Sequence, residues 1–327
     1  MEYRKLGNTD LEVSALGFGL WPIGGTTSHG YGTVDDQEAI RAIQEALDLG
    51  VTLFDTAPAY GNGRGEEILG DALAGRRDEA VIVTKAGVPW SEEEQTWLRD
   101  SSYAEITQSA ETSLQRLQTD VIDVLLIHWP DPDTPFEEPM RAFADLKEAG
   151  KVRYVGVSNF SIEQMRECLK YGPLNAQQVG YNMFDRRMEN EMLPFCLEHG
   201  IGVMTYGSLA HGLLTGTFSA NKEFDAADWR SHGNIFGLPL FKRGNFEKNI
   251  QVVERLKELA ESRGKTMVQL AIAWILRQPA VSVALTGARS RREIEENIGG
   301  TDWVLEDEDL AKIEEILEDA AGTTPEE

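Results

Sequence analysis

Eight short apolar runs recur along the chain with amphipathic segments between them, and this alternation limits the possible folds more than any other feature. The runs are 14–21, 51–57, 80–87, 123–129, 152–159, 175–182, 201–208 and 281–287. They are nearly continuous in Val, Ile, Leu and Gly rather than alternating with polar residues, as expected of parallel strands buried on both faces. Ahead of them, EYRKLG–NTD–LEVSALGFG reads as a short β-hairpin.

Helical patterns separate the runs. Residues 35–50 carry Ala39, Ile43, Ala46 and Leu47 at helical spacing and stop at Gly50. Segment 101–117 opens with Ser102 and Glu105, the spacing of a capping box. Segments 135–150, 161–172 and 188–200 each end in Gly, and 265–279 is the most apolar. Residues 290–300 read as the eighth helix, and 306–320 as an extra one. Eight β–α units over residues 1–327 predict a single-domain (β/α)8 TIM barrel, with an N-terminal β-hairpin and an extra C-terminal helix. A doubly wound sheet is the alternative, but GFGLWPIGG is not GxGxxG, and Gly61, Gly63 and Gly65 follow the second run with the wrong spacing. The longest irregular stretch, 207–246, follows the seventh run, and a loop of that length is usually functional.

Barrels of this kind keep their chemistry at the C-terminal ends of the strands. There the runs carry Asp55, Lys85, His128, Ser158, Asn159, Gln178, Tyr181 and Tyr206, with Tyr60 five residues beyond Asp55. Runs two, three and four are consecutive, so a carboxylate, an ammonium and an imidazole converge on one sector, where burial would make them need each other. Taken one at a time, each has an ordinary explanation: a turn or cap Asp, a snorkelling Lys, a structural His. Together they suit carbonyl reduction. Lys85 would lower the phenol pKa of Tyr60, Asp55 would hold Lys85, and a neutral His128 would orient the carbonyl oxygen. No side chain supplies hydride, so a nicotinamide is implied. Ser158, Asn159 and Gln178 are placed to bond its carboxamide and Tyr206 to stack on its ring.

Several ordered motifs resemble the aldo-keto reductase superfamily over nearly the whole chain. FDTAPAYGNGRGEEILGDAL (54–73) is similar to its FDTAxxYGxGxSExxLGxAL segment, with Gly65 in place of Ser. IVTKAG, VLLIHWPDP, VGVSNFS, TYGSLAHGLLTG and TGARSRREIEEN resemble its later motifs in order. The resemblance implies Asp55, Tyr60, Lys85 and His128 as catalytic tetrad, with Tyr60 the proton donor. It implies cofactor contacts at Trp21, Ser158, Asn159, Gln178, Tyr206, Gly207, Ser208, Leu209, Gly287, Arg289, Glu296 and Asn297, and NADPH ahead of NADH. His211 departs from the usual loop, and Glu293 stands where Gln is common. Trp90 and Trp129, with Trp97 beside them, are candidates for the substrate pocket. The short acidic stretch after the last helix suggests an open site.

The implied activity is reduction of a small-molecule aldehyde or ketone. A channel-associated regulatory or scaffold subunit with little turnover is the alternative, because the resemblance extends to such relatives. With 31 Lys+Arg against 55 Asp+Glu the net charge is −24, which repels nucleic acid and anionic membranes. That acidity suits either ordinary surface solvation or adaptation to high salt. Five histidines without HxH or HExxH spacing argue against a metal site. No secretory signal or membrane-length apolar run is read, and only two cysteines occur, so a reducing cytoplasm is expected. The substrate and the oligomeric state are not legible.

Overall fold

The computed structural model describes residues 1–24, 35–225 and 228–325. Strands β1 (Tyr3–Lys5) and β2 (Glu12–Ser14) pair antiparallel as the expected hairpin. Then come β3 (Leu16–Gly19), β4 (Leu53–Asp55) and β5 (Val81–Ala86). A small hairpin follows, β6 (Trp90–Ser91) with β7 (Thr96–Trp97). Next are β8 (Ile122–Ile127), β9 (Val152–Ser158), β10 (Ala176–Gly180), β11 (Gly202–Tyr206) and β12 (Val281–Thr286). The strands β3, β4, β5, β8, β9, β10, β11 and β12 pair in parallel and close into a ring, so the barrel is found and the doubly wound sheet is not.

Helices α1 (Asp36–Asp48), α2 (Arg64–Ala72), α3 (Tyr103–Arg116), α4 (Glu137–Glu148) and α5 (Ile162–Cys168) connect the strands as far as β10. The later helices are α6 (Met192–Glu198), α7 (Asn245–Ser262), α8 (Met267–Leu276), α9 (Arg291–Ile298) and the extra α10 (Asp307–Leu317). Ser102 accepts from the Glu105 amide at the start of α3, but the reciprocal half of a capping box forms at Ser161–Gln164 and Thr266–Gln269 instead. Two helices, α2 and α7, and the Trp90–Trp97 hairpin lie beyond what the sequence pattern predicts. The stretch 207–246 also holds 3₁₀ turns at Ala210–Thr215 and Trp229–His232 and the first residues of α7.

Strand parity positions the site. Residues two apart share a face of a strand. Leu53, Val83, Val124, Leu126, Ala176, Met204 and Val283 fill the lumen, and Leu6, Leu11 and Val13 join them from the hairpin side. One step further along the same faces stand Asp55, Lys85, His128, Gln178 and Tyr206. The alternate residues, such as Phe54, Ile82, Leu125, Val157 and Val203, join the larger core under the helices, with α8 buried along its length. Packing the lumen with apolar side chains below therefore leaves the polar ones at the rim.

Candidate active site

Lys85 is fully buried at the end of β5. Its Nζ donates to Asp55 Oδ1 and Oδ2, each at 2.9 Å, to the Thr56 carbonyl at 2.9 Å, and to the Tyr60 hydroxyl at 3.1 Å. An ammonium at this depth is costly unless paired, and this one has a carboxylate on both oxygens. The His128 ring stands edge-on to Tyr60, with centroids 6.0 Å apart. The expected group thus comes together at one sector of the rim.

The electrostatics correct one expectation. Burial, reinforced by the Asp55 carboxylate, raises the Tyr60 pKa well above its ordinary value, where proximity to Lys85 had been expected to lower it. Asp55 largely answers the ammonium charge, so the phenol keeps its proton firmly. Burial lowers Lys85 against the opposing pull of Asp55. Burial, then the Lys85 charge, pushes His128 well below 6.5, which keeps the imidazole neutral as anticipated.

The proposed nicotinamide contacts lie together. Ser158 Oγ donates to the Gln178 carbonyl at 3.2 Å. Asn159, at φ +63°, donates to the His128 carbonyl at 3.2 Å and to Ser158 Oγ at 3.0 Å, and accepts from the Tyr206 hydroxyl at 2.8 Å. Gln178 Nε2 donates to Asp55 Oδ2 at 2.7 Å. Tyr181 belongs elsewhere: it is buried behind the barrel, with its hydroxyl donating to Glu189. Gly207 takes φ +62°, a left-handed backbone that favours glycine, and a Cβ there would lie 3.1 Å from the His211 ring. Ser208 is buried, its Oγ donating to the Thr205 carbonyl, and Leu209 is half-buried beside it. Gly287 packs closely enough on Pro22 that a Cβ would sit 2.7 Å from it.

On α9, Asn297 is buried and donates to Thr286, and Glu296 is half-buried. The Arg289 side chain is 81% exposed and meets Glu293 at 3.5 Å, while Arg291 pairs with Glu295 at 2.9 Å. Gly65, the departure from the Ser of the resembled motif, would place a Cβ 3.1 Å from Thr56 Oγ1, a buried hydroxyl with no hydrogen-bond partner in the protein.

Sequence reasoning missed an aromatic cluster beside this rim. Phe236 meets Tyr206 (5.4 Å), His211 (5.6 Å), Trp229 (5.8 Å), Trp21 (6.2 Å) and Trp129 (6.3 Å, stacked). Phe236 (φ +47°) and Gly237 (φ +85°) form a tight turn closed by paired hydrogen bonds between Ile235 and Leu238. Positive φ at both central positions defines a type I′ turn, which favours Asn, Asp or Gly. A bulky residue there is costly, and packing must hold it. The length of the loop signalled importance, but nothing marked Phe236. Trp129 joins this cluster, with the Arg99 guanidinium over its ring at 5.3 Å. Trp90 pairs with Trp97 in the side hairpin, at 5.2 Å. The loop after β11 thus packs an aromatic cluster against Tyr206 and Trp129 at the rim, while Ala321 is tied to Asn249 on α7.

Among the described residues no group of His, Cys, Asp or Glu could hold a metal, and no helix is long and apolar enough to cross a membrane. Cys168 and Cys196 are buried and free.

The rim of the closed parallel barrel thus gathers a buried Lys–Asp pair, a phenol and an imidazole. Residues 15–318 match the aldo/keto reductase family, and the chain belongs to that family. It is 42% identical to "Aldo-keto reductase YhdN" of Bacillus subtilis (strain 168), across 97% of this chain and 94% of that protein. It is 35% identical to the "NADH-specific methylglyoxal reductase" of Escherichia coli (strain K12), across 97% and 99%. A "Probable voltage-gated potassium channel subunit beta" of Arabidopsis thaliana is 37% identical across 97% of each. Among solved structures, the glycerol dehydrogenase AKR11B4 from Gluconobacter oxydans superposes with TM-score 0.90 at 38% identity, covering 99% of this chain and 97% of that one. An aldo/keto reductase from Klebsiella pneumoniae in complex with NADP and acetate gives TM-score 0.73 at 30% identity, covering 98% and 95%.

Proposed function

We propose that the chain reduces small aldehydes or ketones to alcohols with NAD(P)H, Tyr60 acting as general acid. The observation that carries this reading is the buried Lys85 Nζ, which lies 2.9 Å from both Asp55 oxygens and 3.1 Å from the Tyr60 hydroxyl. When bound beside Ser158, Asn159, Gln178 and Tyr206, a reduced nicotinamide would supply the hydride that carbonyl reduction needs. The chain supplies the proton and the binding of the oxygen. The neutral His128 ring donates an N–H to the carbonyl oxygen, because its depressed pKa leaves it uncharged. Tyr60 Oη keeps its proton until negative charge develops on that oxygen, since its raised pKa makes it a poor spontaneous acid. The Lys85 ammonium then meets the charge left on the phenolate.

The residues present fit the cofactor. Ser158, Asn159, Gln178 and Tyr206 form one hydrogen-bonded cluster beside the acid, and Gly207 and Gly287 stand just beyond the ends of β11 and β12. NADPH is placed ahead of NADH because Arg289, Arg291 and Arg292 flank the start of α9, where helix dipole and guanidinium both suit a 2′-phosphate. The relative named NADH-specific is the argument on the other side. A regulatory subunit with little turnover is a second reading, favoured by the potassium channel relative. The presence of all four groups of the acid cluster weighs against it. Reduction of a panel of carbonyl compounds with NADPH and with NADH, followed by absorbance in wild type and Tyr60→Phe, tests the proposal. No turnover by wild type with any carbonyl would favour the regulatory reading.

A further inference from the structure

We infer that Gln178 is a positioning residue for the proton donor, acting through Asp55, as well as a group facing the cofactor. The inference rests on reading Asp55, Lys85 and Tyr60 as the acid machinery. Gln178 stands on β10 and Asp55 on β4, and these strands are four places apart in the closed ring of eight, directly opposite one another. The 2.7 Å hydrogen bond from Gln178 Nε2 to Asp55 Oδ2 therefore spans the lumen. Both residues are nearly fully buried, so water does not replace the bond cheaply.

The bond completes a chain. Lys85 Nζ reaches both Asp55 oxygens from β5, next to β4, and Gln178 fixes the second of those oxygens from the far wall. Without it, the carboxylate is held by neighbours on one side of the barrel and is freer to rotate. Burial lowers the Lys85 pKa and Asp55 opposes that shift, so a looser Asp55 makes Lys85 easier to deprotonate. Glu66 also favours the charged form, while Tyr60 and His128 complete the titratable surroundings. The amide that turns one end to Asp55 keeps its carbonyl oxygen as an acceptor for a carboxamide N–H. Cofactor binding and the placement of the proton donor thus share one side chain.

The test compares wild type with Gln178→Met, which keeps the volume and removes the amide, and with Gln178→Leu, which removes the amide with a shorter apolar side chain. Folding is checked by circular dichroism. In protein without cofactor, the Lys85 Nζ titration is followed by NMR with ¹⁵N-labelled lysine. Both variants are expected to raise its acid dissociation constant by about threefold or more. At saturating NADPH, kcat is expected to fall by about ten- to a hundredfold, beyond whatever change appears in the NADPH dissociation constant. An unchanged Lys85 titration, or an unchanged kcat with weakened NADPH binding alone, overturns the inference and leaves Gln178 a cofactor contact only. If wild type reduces no carbonyl, the proposed function fails, and the cofactor-free titration alone decides the role of Gln178.

Discussion

The Tyr206 hydroxyl donates to Asn159 Oδ1 at 2.8 Å, and Asn159 holds a left-handed backbone at φ +63°. Its Nδ2 reaches the His128 carbonyl and Ser158 Oγ, so one amide laces together the ends of β8, β9 and β11. The lacing fixes the face of Tyr206 on which a flat ring is proposed to stack. Tyr206→Phe removes only the oxygen and leaves an acceptor on Asn159. The expected loss of stability is about 1 kcal/mol, the net worth of one such bond, read by urea unfolding. An unchanged midpoint would show that the lacing contributes nothing.

Tyr60→Phe tests the acid directly. A positioned general acid contributes about 10²–10⁴-fold, and kcat should fall by that amount. Residues other than Tyr60 are proposed to hold the cofactor, so its dissociation constant should barely change. Full kcat in the variant would remove Tyr60 from the mechanism.

The order of the two titrations at the site is reversed from that of free side chains. Tyr60 is raised well above 10.0 and Lys85 lowered from 10.5, so rising pH takes the proton from Lys85 first. The alkaline limb of kcat/KM should therefore belong to Lys85. Asp55→Asn, which removes the charge favouring the ammonium, should move that limb to lower pH. His128 is neutral well below 6.5 and should give no acid limb near that value. A profile measured from about pH 5.5 to 10 checks both. A limb unmoved in Asp55→Asn would contradict the assignment.

The strands were legible because each is apolar on both faces, and the polar rim was legible because a barrel places its strand ends together. Helix α2 was not, because Gly61, Gly63 and Gly65 read as a loop. In the fold, Gly61 and Gly63 take positive φ just before the helix and Gly65 lies inside it. Helix α7 was lost in the long segment after Tyr206, where no apolar strand marks its start. Phe236 contradicts turn chemistry, so local rules could not find it. The Gln178–Asp55 bond links residues 123 apart in sequence, and run order alone does not say which rim groups touch. The raised Tyr60 pKa needed burial and charge geometry, since the sequence supplied Lys85 and Asp55 with opposite effects.

His211 offers a test of stability. Burial, then the Arg230 charge, pushes its pKa down to about 3. Between that value and about 6.5 the unfolded chain binds a proton that the folded one does not, so acidification destabilises the fold by up to about 1.4 kcal/mol per pH unit. Glu105, pushed up to about 7 by burial and then Asp100, works with the opposite sign above its ordinary value of 4.5, because it is neutral when folded. The raw curve mixes these effects, whereas the difference between wild type and His211→Gln isolates the imidazole. Wild type should lose stability relative to the variant as pH falls from 6 to 4, at about that slope. Parallel curves would mean that His211 is protonated in the fold.

The proposed preference for NADPH rests on Arg289. Its guanidinium is almost free of the protein surface and meets Glu293 at 3.5 Å, longer than a strong ion pair. Its own backbone N–H is held more tightly, donating to Glu293 at 2.8 Å. A 2′-phosphate arriving here would compete with Glu293 for the side chain while the backbone anchor stayed in place. Arg289→Ala should then weaken NADPH binding by about 1.5–3 kcal/mol, the range for a hydrogen bond to a charged group, and leave NADH nearly unchanged. Glu293→Gln should act in the opposite direction, strengthening NADPH by removing a like charge, with little effect on NADH. Dissociation constants for both cofactors in the three proteins decide the matter. Equal losses for both cofactors in Arg289→Ala, or a wild type that already binds NADH more tightly, would assign the guanidinium to Glu293 alone.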